Sequence, residues 1–145
     1  MRDAGRALSL GVDLTQEQRL VYTSARELAH QRLAPGAAAR DEEERFPLEH
    51  LGELAELGLL AMKVREEDGG SGADNVCYVL AMSAIAEADA SVAVILASSN
   101  LATKILGDYA TPEQRSRWLR PYAEGAWGPR ASRSPSRTRA RTRRP

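Results

Sequence analysis

Apolar residues recur along most of this chain at the three- and four-residue spacing of helices, and no β-hairpin signal interrupts them. The first start signal is "TQEQ" at Thr15–Gln18, a capping box in which the Thr15 hydroxyl and the Gln18 side chain each satisfy the other residue's amide. After it, Leu20, Val21, Ser24 and Leu28, with Ala25 beside them, fall on one face. This predicts a helix to about Leu33, broken by Pro35-Gly36. A charged segment, "AAARDEEERF", follows, and Asp41–Glu44 reads as a solvated face. Pro47 suits a first helical turn, Leu48, Leu51, Leu54 and Leu57 form an apolar stripe, and Gly58 fits a helix end.

"LLAMKV" (Leu59–Val64) is short, apolar and extended in character, and "REEDGGSGAD" (Arg65–Asp74) reads as a loop. Two strongly helical stretches come next. The first places Val76, Val79, Leu80, Ser83 and Ile85–Ala86 at core spacing. The second, "ASVAVILASSNLATKIL", is apolar almost all round, which predicts a central buried helix capped by Asp89 or Ser91 and ended by Gly107. "TPEQ" at Thr111–Gln114 repeats the start signal, and the last helix carries Trp118 and Leu119 and stops near Pro121. The pattern therefore predicts an all-α fold, a helical bundle of about six helices with short connections.

Charge divides the chain. The formal net charge is zero, but seven of the twenty basic residues lie in the last seventeen positions, "PRASRSPSRTRARTRRP", which hold no acid. Residues 1–128 are thus acidic at −7, carrying all twenty acids. The organisation predicted is a lead-in at 1–13, a helical domain at 14–128, and an arginine- and serine-rich tail at 129–145. The single cysteine, Cys77, excludes an internal disulfide and fits a reducing compartment. The longest apolar runs, such as Val92–Leu96, are too short to span a bilayer, and the N-terminus has no signal core. These features point to a cytoplasmic protein with no membrane partner.

Little in the domain reads as catalytic. His30 and His50 sit on different predicted helices with no metal-ligand spacing around them, and Cys77 lies on an apolar face as a buried, inert thiol. No catalytic residue and no metal site is assigned. "DGGSGAD" (Asp68–Asp74) is glycine-rich but lacks a lysine and carries negative charge, so phosphate binding is disfavoured. Ser98-Ser99-Asn100 interrupts the most apolar helix; these groups either bond back to the preceding turn or line a cavity, and composition favours the first.

Taken together, "LTQEQRLVYTSARELAHQRLAPGAAARDEEERFPLEHLGELAELGLLAMKVREEDGGSGADNVCYVLAMSAIAEADASVAVILASSNLATKIL" and "TPEQRSRWLRPYAEGAW" resemble the N-terminal helical domain of the acyl-CoA dehydrogenase family, from Leu14 to about Trp127. The resemblance implies an FAD-dependent oxidation of the Cα–Cβ bond of an acyl-CoA thioester. It also implies a following β domain and C-terminal helical domain, the latter with a glutamate base, and a homo-oligomer. By position, the acyl-chain lining would be Ala93, Val94, Ala97 and Ser98, with Leu101. A complete flavin site and the catalytic base would not be on this chain, so the chain alone would be inactive.

The chain departs from the family pattern after "EGAW", where a segment like "GFALTEPDSGSDAA" is expected. ACC GAG CCG, encoding Thr-Glu-Pro, gives Pro-Ser-Arg when read one base later, as at Pro135–Arg137. GGC TCG GAC gives Ala-Arg-Thr in the same way, as at Ala140–Thr142, and the separation of the two matches that of the family motif. A frameshift near Gly128-Pro129 accounts for the tail. The alternative reading is a helical adaptor with an arginine-rich nucleic-acid-binding arm. A further alternative is an interaction module that dimerises through the helical domain.

Overall fold

The computed structural model describes residues 13–126; residues 1–12 and 127–145, with the arginine-rich stretch and the proposed frame change, lie outside the described residues. The described residues are mostly helical, joined by short turns and loops, and contain no strand. Helix α1 is Gln16–Leu28, α2 Ala37–Glu42, α3 Leu51–Glu56, α4 Asn75–Ala88 and α5 Ala90–Tyr109. Short α6 (Pro112–Gln114) and α7 (Arg120–Ala123) are joined by a wide turn into one rod. Both capping boxes form as the sequence predicts: Gln18 N–H donates to Thr15 Oγ1 at 3.2 Å, and Gln114 N–H donates to Thr111 Oγ1 at 3.3 Å. Gly58 ends the α3 region in the left-handed conformation at φ 69°.

The prolines do not stop their helices. Five-residue π turns, Ala29–Leu33 and Arg115–Leu119, precede Pro35 and Pro121, and helical backbone continues to Glu42 and Ala123. Proline lacks an N–H and its ring crowds the carbonyl four residues back. Those carbonyls belong to Gln31 and Arg117, which lie inside the widened turns. Widening the turn thus relieves the clash without ending the rod. Gly107 likewise lies inside α5, which runs on to Tyr109.

The core faces of α1 and α4 are rotated from those that several of their large aliphatics mark. On α1 and the turn after it, the buried residues are Tyr22, Ala25, Ala29 and Leu33, while Leu20 is 65% exposed. On α4 they are Cys77, Ala81, Ala84 and Ile85, while Val76 and Val79 face out. Helices α1 and α4 pack side by side, and alanines at the seam let two backbones approach closely. Of the α3 stripe only Leu54 is fully buried, and Leu48 and Leu57 are exposed. Successive steps of three residues fall short of a turn, so four leucines spaced this way wind around half the helix.

"LLAMKV" is not extended. Leu59–Ala61 forms a 3-10 turn, and Leu59 to Met62 and Val64 are all buried. The glycine-rich loop folds back on it: the N–H groups of Ser71, Gly72 and Ala73 donate to the carbonyls of Ala61, Val64 and Met62. Gly70 is needed for the close approach, since a Cβ there would lie 2.3 Å from the Val64 oxygen.

Candidate functional site

Helix α5 is the element on which the predicted acyl-lining residues fall. Asp89 caps it, accepting from Val92 N–H at 2.9 Å. Its inner side buries Val92, Ala93, Leu96, Ser99, Asn100 and Thr103. The polar members of that set serve the 59–62 turn, which is buried and would otherwise lack partners. Asn100 Oδ1 accepts from Met62 N–H at 2.7 Å, and Asn100 Nδ2 donates to Leu59 O at 2.8 Å. Ser99 Oγ lies 3.0 Å from Leu60 O and 2.7 Å from the Tyr122 hydroxyl. Bonds back to the preceding turn form as well: Ser98 donates to Val94 O at 3.0 Å, Asn100 Nδ2 also to Leu96 O at 2.9 Å, and Thr103 to Ser99 O at 2.9 Å.

The outer side of α5 is apolar and uncovered. Val94 is 66% exposed, Leu101 65% and Ile105 51%, with Ser98 exposed between them. The helix is therefore covered on one side only, rather than buried all round as its composition suggests. By length and composition alone Ala90–Tyr109 is long enough to cross a membrane, contrary to the reading from short apolar runs. Its inner hydrogen bonds to the 59–62 turn are those of a helix packed in a domain core. The structure brings Val94, Ser98 and Leu101 together on the outer face. Ala97 stands half-buried at its edge, and Ala93 points into the core.

Beside the N-terminal half of this face opens a cleft of about 450 Å³, lined by Phe46, Pro47, Ser91, Val94 and Ile95, with Arg40 and Asp89 among its other lining residues. Arg40 is 6% exposed. Its Nε and Nη2 donate to Asp89 Oδ2 at 3.2 and 2.7 Å, and Nη2 also donates to Leu33 O. His50 Nε2 sits 3.3 Å from Arg40 Nη1, while His30 is exposed. This buried pair escapes sequence reading: Arg40 lies within a charged run, and its partner is 49 residues away.

A second cleft, of about 560 Å³, lies at the C-terminal end of α5 and gathers Lys63, Arg65, Lys104 and Arg115 with Asp68 and Asp108. These cations have partners: Lys104 with Asp108, Arg115 and Arg65 with Asp68, and Lys63 with Asn75. Cations suit the negative end of a helix dipole. The glycine-rich loop beside it has spent its N–H groups on its own backbone, so it does not fit the pyrophosphate of a dinucleotide cofactor.

Burial, with the Asp74 carboxylate nearby, pushes the Cys77 thiol up to about 11. Asp74 caps α4 through Cys77 N–H and takes a hydrogen bond from Gln18, and these two contacts hold its own carboxyl below the usual range. Among the described residues, no three His, Cys, Asp or Glu side chains are placed to hold a metal.

Comparison with known proteins places these features. The family described as acyl-CoA dehydrogenase, N-terminal domain, matches residues 15–126. A short-chain specific acyl-CoA dehydrogenase from Clostridium acetobutylicum is 34% identical over 114 residues, 78% of this chain and 30% of its own length. The mitochondrial short-chain specific enzyme of Bos taurus is 36% identical over 117 residues, 79% of this chain and 28% of its own. The structure of butyryl-CoA dehydrogenase from Megasphaera elsdenii superposes with a TM-score of 0.71 at 30% identity, covering 79% of this chain and 31% of that one. Glutaryl-CoA dehydrogenase from Mycobacterium smegmatis gives 0.76 at 27% identity, covering 86% and 33%.

Proposed function

The chain belongs to the acyl-CoA dehydrogenase family, and on that premise we propose that it is the N-terminal helical part of an FAD-dependent enzyme that oxidises the Cα–Cβ bond of an acyl-CoA thioester. The observation that carries this reading is the match from residue 15 to 126, together with an α5 whose outer face is apolar and free of neighbours. The chain spans about 30% of the length of the curated relatives it matches.

In this reading Val94, Ser98 and Leu101 form one wall of the acyl-chain site, with Ala97 at its rim. Ala93 supports the wall from the core. Small and medium side chains on one helix face leave room for an aliphatic chain, whose burial is worth about 0.8 kcal/mol per methylene. The opposing wall, the flavin and the base belong to the length of the relatives that this chain does not match. No protein side chain accepts a hydride, so the 145-residue chain alone is inactive.

The tail at 129–145 is then the start of the next domain in a shifted frame, and its arginines reflect GC-rich codons rather than a nucleic-acid partner. The coding DNA tests this. The expected result is that inserting one base, or removing two, near codon 128 opens a frame reading into "TEPDSGSD" and beyond, reversing a one-base deletion or two-base insertion. A downstream sequence with no such frame would sink the frame-change proposal while leaving family membership intact.

A further inference from the structure

We propose that His50 is a proton-controlled catch on the buried Arg40–Asp89 pair, closed while its Nε2 is bare and released when that nitrogen takes a proton. The proposal rests on the geometry around one ring and not on the acyl-wall reading. Arg40 lies on α2, and His50 ends the turn Leu48–His50 that leads into α3. The His50 side chain is 12% exposed, and its Nε2 sits 3.3 Å from Arg40 Nη1. A guanidinium has donors only, so Nε2 is the acceptor of this contact. The ring is therefore neutral in this arrangement, with its proton on Nδ1. That proton has no partner: Nδ1 is buried without a hydrogen bond, and the Glu53 carboxylate stands off at 3.8 Å. Buried donors are seldom left so. On the other side Glu49 lies 3.9 Å from Nε2.

Among the described residues, the charged groups facing the ring are Arg40, Glu49 and Glu53; behind them stand Asp89, Arg45 and Arg32. The hydrogen bonds from Arg32 hold the Glu53 carboxyl below its usual range. The Glu49 carboxyl is held below it by its own backbone amide and by Arg45. Both acids therefore keep their charge over the range, about pH 5 to 8, in which imidazole exchanges a proton. Protonation reverses the ring's preferences. Nε2–H then points at a cation that offers no acceptor, while two carboxylates attract the imidazolium. Arg40 has little room to give way. Three other hydrogen bonds tie it to Asp89 and Leu33, and Gly36 packs so close that a Cβ there would lie 2.5 Å from Nη1. The ring therefore swings to Glu53 and Glu49 and leaves Nη1 without its acceptor. Asp89 caps α5 and, with Arg40, lines the 450 Å³ cleft, so the change at His50 reaches both.

The test is a titration of the 145-residue chain from about pH 8 to about pH 5, followed by isotope-edited NMR. At the alkaline end the His50 ring should show the Nδ1–H tautomer. On acidification the Arg40 Nε–H and Val92 N–H signals should move with the same midpoint as the His50 ring. In His50→Gln, whose amide oxygen still accepts from Arg40, both movements should vanish while helical circular dichroism stays unchanged. The tautomer and the shared midpoint are read on the unaltered chain, so they decide the matter whether or not the variant folds. An Nε2–H tautomer at the alkaline end, or Arg40 and Val92 signals that ignore the His50 titration, would overturn the proposal. So would the same movements persisting in His50→Gln, or a ring that takes up no proton across the range.

Discussion

Replacing Arg40 by methionine should cost about 3–5 kcal/mol of folding stability, read as a large fall in the urea midpoint. The change leaves Asp89 buried with its charge unpaired and takes a donor from Leu33 O, which lies in the turn that carries α1 past Pro35. Asp89 also caps α5, so the effect reaches the helix of the candidate site. The double variant Arg40→Met/Asp89→Asn should regain a large part of the loss. Asparagine keeps the cap through its side-chain oxygen and removes the stranded charge. A loss below about 1 kcal/mol for Arg40→Met would mean that water reaches Asp89 and the pair is not buried.

Asn100→Leu should cost about 2–5 kcal/mol. Leucine has nearly the same volume, so packing changes little. What is lost is the acceptor for Met62 N–H and the donor to Leu59 O, both inside the core. Each orphaned backbone group carries its own desolvation penalty of roughly 1–3 kcal/mol. Ser99→Ala should cost less, because Tyr122 then turns its hydroxyl to other partners or to water. Equal losses for Asn100→Leu and Ser99→Ala would contradict the assignment of Asn100 as the main clasp of the 59–62 turn.

These two residues also show what the sequence conceals. Thr15 with Gln18, and Thr111 with Gln114, are legible because a capping box is complete within four residues. Asn100 and Arg40 are not, because their partners lie 38 to 49 residues away. The core faces of α1 and α4 are legible only in part, through Ala25 and Ile85, for a different reason. Hydrophobic spacing favours Leu20, Val76 and Val79, whereas the helices meet through Ala25, Ala29, Ala81 and Ala84, whose value is closeness rather than apolar area. Pro35 and Pro121 look like stops because proline ends an α-helix of fixed pitch, and the chain instead changes pitch before each one.

The candidate site is legible only in outline. The string of helices from Leu14 onward carries the family, and α5 carries the residues proposed as the wall. That α5 is apolar on two sides but covered on one emerges only when α4 and the 59–62 turn are seen to occupy the inner side. Composition alone cannot separate a helix buried all round from one that waits for a further surface.

The central claim is that this chain supplies one wall of an acyl-CoA dehydrogenase and not its chemistry. The direct measurement compares two purified proteins under the same conditions: the 145-residue chain, and the product of the gene with its frame restored near codon 128. Each receives FAD, an acyl-CoA and an electron-accepting dye. The expected result is acyl-CoA-dependent dye reduction by the restored protein, and none above background by the 145-residue chain. Turnover by the 145-residue chain itself would contradict the account.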